Sequence, residues 1–419
     1  MAGLSVLRER LRSRLWPVPA LAAVVAVAGA LALSRVGSGG GWVSDPEAAR
    51  GLLQVLAGSS LTVVALVFSL HVVALQLAAS QYSPRLLRTY SRDWVIQAAL
   101  AVLIGTFAFC LVTLATFGDG DGSAGPSVTV AVLLGLACVG ALVGVVSHIV
   151  TSLRVETMMA GLHADAEAVI TDWVGHRRDG GDGLSMAVGT RAPSARLTAQ
   201  RSGFVQAVDA PGLAAWAGRA GAHVRVDVVP GEHVLAGEPV ARVWGVEQQA
   251  VADSGPAGAL LVGFERTPDQ DPALGLVQLV DIALRALSPS LNDPTTAVHA
   301  LGHVTSLLVD VAAQPEGADL VTDGPDGLTR VWQASRSLTD FLAITCHPLA
   351  RAAQGEPDVL CALVRTLAAV GQQAGPAGTA PIRAELAHLE RCAQRGLADE
   401  DDRRRVEEAV ADARVSLGS

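Results

Sequence analysis

Lysine is absent from this chain, and all 31 basic residues are arginine. That excludes a Schiff base, a P-loop lysine and a lysine-attached lipoyl or biotinyl arm. The five cysteines, Cys110, Cys138, Cys346, Cys361 and Cys392, form no CxxC pair, which excludes a zinc ribbon and a disulfide framework. Net charge is -9, and no basic stripe exists beyond arginines flanking the apolar runs, so nucleic acid is excluded as a partner. No GxSxG, Walker or GxGxxG pattern stands between a strand and a helix. Glu265, Asp269, Asp271, Asp281 and Asp293 lack the spacing of an acid/base pair. His299 and His303 lie one helical turn apart, but HALGH has no glutamate where HExxH requires one. These absences predict a non-enzyme with no catalytic residue, no bound metal and no cofactor.

Long apolar runs are what the chain has in abundance. Mean hydropathy is +0.40, half the residues are apolar and only 17% are charged. Runs of roughly 18 or more residues, enough to cross ~30 Å of hydrocarbon, cover Trp16–Leu33, Leu52–Ala79, Trp94–Phe117 and Val128–Val150. They predict four transmembrane helices. Arg8, Arg10, Arg12 and Arg14 precede the first run, Arg85, Arg88 and Arg92 separate the second from the third, and Arg154 follows the fourth. Basic flanks are retained on the cytoplasmic side, so both termini are expected in the cytoplasm of a bacterium, with the chain multi-pass in the inner (plasma) membrane. Reading the first run as a cleaved signal peptide leaves three spans and puts the later arginines on conflicting sides.

Beyond Val150 the pattern changes. A stem helix is expected through VETMMAGLHADAEAVITDW, followed by a Gly-rich linker from His176 to Arg196. SGFVQAVD, HVRVDVV and PVARVW alternate as strands, PGLAAWAGRAG reads as a short helix, and PGEH and AGEP supply turns. VVPGEHVLAGEPVARV resembles half of a lipoyl-carrier hammerhead, which without lysine binds or packs rather than carrying an arm. Helical spacing then predicts Leu274–Leu287, Pro294–Ala312, Leu328–Arg351, Pro357–Gln373, Ile382–Gly396 and a frayed Glu400–Arg414, with a connecting loop between Pro315 and Gly327. The fold class is an α-helical membrane protein with four transmembrane helices (1–154), a stem and linker (155–196), a cytoplasmic α+β module (197–264) and a C-terminal helical bundle (265–419).

The second run is unusually polar. Thr62, Ser69, Gln76 and Ser83 recur every seven residues on one face, and a polar stripe in hydrocarbon must face protein or water. Two readings follow: a pore or substrate path lined by these side chains, or a packed seam between helices. Both suit a homo-oligomer. His71 and His148 are ionisable groups in the spans and candidates for proton handling. Gly140 and Gly144 form a GxxxG pair that permits close helix approach.

Two further segments stand out. SQYSPRLL, Ser80–Leu87, suits a membrane-surface turn in which Ser83 caps a helix opened by Pro84. ERTPDQDPALGLVQLVDIALRALSPSLNDPTTAV, Glu265–Val298, brackets one helix on which Asp281 and Arg285 are spaced to pair. Either Asn292, the sole asparagine, or Asp293 caps the next helix, with Pro294 in its first turn and Thr295 and Thr296 nearby. Together these segments resemble the bacterial predicted-membrane-protein family known as domain of unknown function 2254, a resemblance that implies relatives but no activity. A candidate anion-binding corner consists of Arg266, Asp271, Asp281, Arg285, Asn292, Asp293 and Thr295; the rival reading is that these residues only fix the turn between helices. The expected function is an oligomeric channel or transporter regulated by its cytoplasmic domain. The alternative is a membrane-anchored sensor or scaffold for a small ligand or protein partner. The lipid bilayer is the expected partner in either case.

Overall fold

The computed structural model of the protein describes residues 17–35, 45–81, 94–116, 125–152, 154–176, 183–256, 258–314, 319–375 and 378–418. Two compact units are present, Met1–Met158 and Met159–Ser419.

The first unit is helical. Its elements are α1 (Pro17–Leu33), α2 (Pro46–Gln81), α3 (Trp94–Thr116) and α4 (Gly125–Ser152). Among the described residues three helices, α2, α3 and α4, are long and apolar enough to cross a membrane. α1 is apolar throughout but has 17 residues, about 26 Å at 1.5 Å per residue. α3 is central and packs against α1, α2 and α4. Leu103, Phe109 and Cys110 are fully or almost fully buried there, and Thr106, also buried, returns its hydroxyl to Val102 O at 2.7 Å and accepts from Cys138 Sγ at 3.2 Å. α2 and α4 are one-sided by comparison.

The second unit mixes sheet and helix. It runs α5 (Val155–His176, which starts four residues earlier, in the first unit), α6 (Gly183–Val188), β1 (Ala195–Thr198), β2 (Gly203–Val208), α7 (Ala210–Ala220), β3 (His223–Val226), β4 (His233–Val234), β5 (Pro239–Trp244), α8 (Gln248–Ser254) and β6 (Leu260–Gly263). It continues with α9 (Pro272–Ala286), α10 (Pro294–Ala312), β7 (Leu320–Asp323), β8 (Thr329–Gln333), α11 (Leu338–Ala352), α12 (Pro357–Gln373), α13 (Thr379–Gly396) and α14 (Glu400–Ser416). One sheet has the order β1-β5-β3-β8-β7 and the other β4-β2-β6. Their shared core is Val-rich, including Val205, Val224, Val226 and Val243 under Trp216.

Three expectations differ from the structure. The loop expected between Pro315 and Gly327 contains β7, and the start of the helix expected at Leu328–Arg351 is β8. Val331 pairs with Val224 in a parallel register that joins the module's sheet to the helical region. The helix itself starts later, where Ser337 and Asp340 form a capping box. α14 is not frayed: Val406, Val410 and Ala413 are buried, and the helix packs on α12.

α9, α10, α12 and α14 pack in succession, with α11 against α9 and α13 against α11, α12 and α14. α5 joins this bundle. A Cβ added at Gly275 on α9 would overlap the Cβ of Ala166 on α5, so the two helices approach as closely as a glycine permits. Trp173 of α5 lies edge-on to Phe341, with ring centroids 5.7 Å apart.

Candidate functional site

The chain between β6 and α9 is held to β2 by amide side chains. Gln206 Nε2 donates to Glu265 O at 2.7 Å, and Gln270 accepts from Val208 N at 2.9 Å while donating to Val208 O at 3.3 Å. This places Asp271 at the N-cap of α9, ahead of Pro272. Its Oδ1 accepts from Ala273 N at 3.2 Å, and Oδ2 accepts from Arg266 Nε at 2.7 Å, while Arg266 Nη2 stands 2.6 Å from Oδ2 as an ion-pair contact without hydrogen-bond geometry. Asp271 is only 2% exposed. Burial pushes its carboxyl above the usual carboxylate range, opposed by Arg266 and then by Arg336.

A third segment closes on this pair. Gly231, in the PGEH turn, has φ +87, and a Cβ there would overlap Asp271 Oδ2 and stand 2.9 Å from Arg266 Nη2. Glycine is required for that approach. Arg336, on the loop before α11, donates through Nη2 to Pro230 O at 3.3 Å. Two guanidinium groups therefore share the surroundings of one buried carboxylate. Arg336 Nε and Thr267 Oγ1 are buried without a hydrogen-bond partner among the described residues. Such an excess of donors suits an anion.

The remaining corner residues lie at the other end of α9. Its 15 residues span about 22 Å, so Arg285, Asn292, Asp293 and Thr295 are separated from Arg266 and Asp271, with Asp281 between them. Asn292 reverses the chain at φ +47, and Asp293 N donates to Ala286 O at 2.9 Å. Asp293 is the cap. It accepts from Thr296 N at 3.0 Å and Thr296 Oγ1 at 2.6 Å, bonds that hold its carboxyl below the usual range. Arg285, Asn292, Asp293 and Thr295 are exposed. The sequence-predicted set thus forms two groups. Arg336, which with Gly231 completes the first, lies in a distant segment with no motif to mark it; Gly231 belongs to the PGEH turn visible in the sequence, but its approach to Asp271 is tertiary.

In the first unit, α2 buries Leu53, Ala57, Ser60, Val67, His71 and Ala74. Thr62, Ser69 and Gln76 are exposed, as are Val55, Leu66 and Val73. At 100° per residue, His71 lies about 180° from Thr62. The polar stripe is therefore on the side away from the chain's own spans. Ser83, Arg85 and Arg88 lie outside the described residues. On α4, Cβ atoms added at Gly140 or Gly144 would meet nothing within 4 Å. His148 Nε2 lies 3.1 Å from Ser152 Oγ.

The model of the family described as predicted membrane protein (DUF2254) matches residues 12–369. Uncharacterized protein MT1328 of Mycobacterium tuberculosis (strain CDC 1551 / Oshkosh) and uncharacterized protein Mb1321c of Mycobacterium bovis are each 33% identical to the chain over 422 aligned positions, covering 97% of it and 81% of their own length. No solved structure matches. The chain belongs to the DUF2254 family of predicted membrane proteins.

Proposed function

We propose that this membrane protein is a homo-oligomeric channel or transporter of the bacterial inner membrane, with α2 lining the path and the second unit regulating it from the cytoplasm. The carrying observation is that Thr62, Ser69 and Gln76 are exposed opposite the buried face of α2. Thr62 Oγ1 satisfies itself on Gly58 O at 3.0 Å, but the Gln76 amide cannot face lipid without cost. Other copies of the chain, with water on a shared axis, meet that requirement. In this reading α1 is a fourth span, both termini are cytoplasmic, and the open Gly140 and Gly144 face on α4 supplies close contact between copies. The role needs no catalytic residue. Flux of ions and small solutes through liposomes containing the purified chain is the test. Gln76→Leu and Ser69→Leu are expected to reduce it at least about tenfold; no flux under any condition counts against transport.

A second reading is favoured by Arg266 and Arg336. Two arginines around one buried carboxylate, with Thr267 beside them, suit a membrane-anchored sensor that takes a phosphate or carboxylate. Asp271 competes with such a ligand for the guanidinium groups. Phosphate or a dicarboxylate is expected to raise the melting temperature of the full chain, more so in Asp271→Asn. Unchanged melting across both anions in both proteins excludes this reading.

A further inference from the structure

Asp271 already holds the position that an anion would take beside Arg266. Its Oδ2 accepts from Arg266 Nε at 2.7 Å and stands 2.6 Å from Nη2, while Oδ1 accepts from Ala273 N. Donor capacity around it is left over. Arg266 Nη2, Arg336 Nε and Thr267 Oγ1 are buried without a hydrogen-bond partner among the described residues, a state that costs free energy and that a bound oxyanion relieves. The Arg266 side chain is 22% exposed against 1% for Asp271, so an anion from solvent meets the guanidinium before the carboxylate.

Such an anion conflicts with an ionised Asp271. Burial pushes this carboxyl toward its neutral form, and Arg266 first, then Arg336, hold it ionised. Engaging both guanidinium groups elsewhere leaves burial unopposed and sets two negative groups side by side out of water. A carboxyl stripped of its partner in that way neutralises instead. The neighbouring acids are differently placed: Glu232 Oε2 accepts from Val229 N at 3.1 Å, and Glu265 and Asp269 are exposed.

We propose that this site takes its anion together with a proton: Asp271 Oδ2 gains one H+ from solvent as a dianion of the sulfate or phosphate type engages Arg266, Arg336 and Thr267. This coupling rests on the anion-sensor reading given above and adds the proton to it. Charge favours a dianion. Two guanidinium groups beside a neutral acid carry two positive charges, which a dianion balances; beside an ionised acid they carry one, which it overshoots.

The proton step needs only water. A lone pair on Oδ2 forms the new O–H bond, no covalent bond in the protein breaks, and the neutral acid becomes a donor to the bound anion. Oδ1 keeps its bond from Ala273 N, so the cap of α9 survives the change. Affinity therefore rises as pH falls, and the site answers to acid and anion jointly.

Sulfate is the probe, because it stays doubly charged between about pH 5.5 and 8 and brings no proton of its own. Isothermal titration of the full chain in detergent, in two buffers of different ionisation enthalpy and against chloride at equal ionic strength, reads affinity and proton uptake together. The expected result is about one proton taken up per sulfate near pH 7.5, with affinity rising about tenfold for each unit of pH down to about 6.5. Asp271→Asn, neutral at every pH, binds sulfate with no uptake and no pH dependence; Asp271→Ser, which retains a capping oxygen, replaces it if the asparagine variant does not fold. Arg336→Gln weakens sulfate binding by about tenfold or more. Sulfate bound by the parent without proton uptake overturns the coupling and leaves the sensor reading standing. Uptake that persists without the Asp271 carboxyl, or full affinity in Arg336→Gln, overturns it as well. No sulfate bound by the folded parent at either pH removes the sensor reading itself and the coupling with it.

Discussion

Arg266 Nη2 and Asp271 Oδ2 stand 2.6 Å apart, and the same carboxylate caps α9 through its other oxygen. One buried acid thus serves both as counter-charge for an arginine and as the start of a helix. Removing it takes away both roles and leaves Arg266 and Arg336 facing each other's charge.

Asp271→Ala is accordingly expected to destabilise the second unit by about 3 kcal/mol at neutral pH, the range for breaking a buried pair trimmed by the partial exposure of Arg266. Thermal unfolding of the full chain in detergent measures it. A midpoint within about one degree of the parent contradicts the buried-pair account.

Gly231→Ala tests the same place from the other side. Its positive φ and the missing space beside Asp271 both oppose a methyl group, so a loss of about 1–3 kcal/mol is expected. Gly237→Ala is the comparison, since that residue has φ +85 but nothing within 4 Å of an added Cβ. It isolates backbone strain and should cost less. Equal losses in the two variants contradict the tight fit around Asp271.

Acid should weaken the α10 cap. Thr296 depresses the folded-state value of Asp293, so this carboxylate's contribution is present above its unfolded value near 3.9 and disappears as pH falls through the lower folded value. Asp271, raised in the fold, has the opposite sign and cancels when parent and variant are compared. Asp293→Asn is expected to cost about 0.5–1 kcal/mol at pH 7, with the gap closing below about pH 4. A gap that widens on acidification has the wrong sign.

Two glycines on neighbouring helices should respond in opposite directions. Gly275→Ala forces α9 away from Ala166 of α5, a loss of about 1–3 kcal/mol, whereas Gly302→Ala on α10 meets open space and should gain about 0.5–1 kcal/mol through helix propensity. Urea midpoints of the two variants decide it. A stabilised Gly275→Ala contradicts the close packing of α5 on α9.

Much of this architecture is legible where local chemistry decides it. Pro294–Ala312 and Pro357–Gln373 are found to the residue because proline follows the N-cap and apolar residues keep helical spacing. β7 and β8 form a local hairpin around Gly324–Gly327, but its place in the fold is set by the non-local pairing of β8 with β3, which no local pattern marks. Thr329–Gln333 lies between Leu320–Asp323 and His223–Val226, the latter about a hundred residues earlier, and the SLTD capping box marks the true helix start. The site shows the same limit. Asp271 and Arg266 are five residues apart and visible together, whereas Arg336 and Gly231 arrive through tertiary folding. The heptad of Thr62, Ser69 and Gln76 reveals a stripe, but which side of α2 packs against the chain depends on α3 and α4.

Cross-linking along α2 tests the central claim most directly. All five native cysteines are buried, so a single cysteine introduced in place of Thr62, Ser69 or Gln76 supplies an accessible thiol for oxidation in native membranes. The oligomer with α2 on its axis predicts covalent dimers at all three positions and none from Ala74→Cys on the buried face. Monomer alone at Thr62, Ser69 and Gln76, in membranes where the protein is folded and abundant, contradicts it.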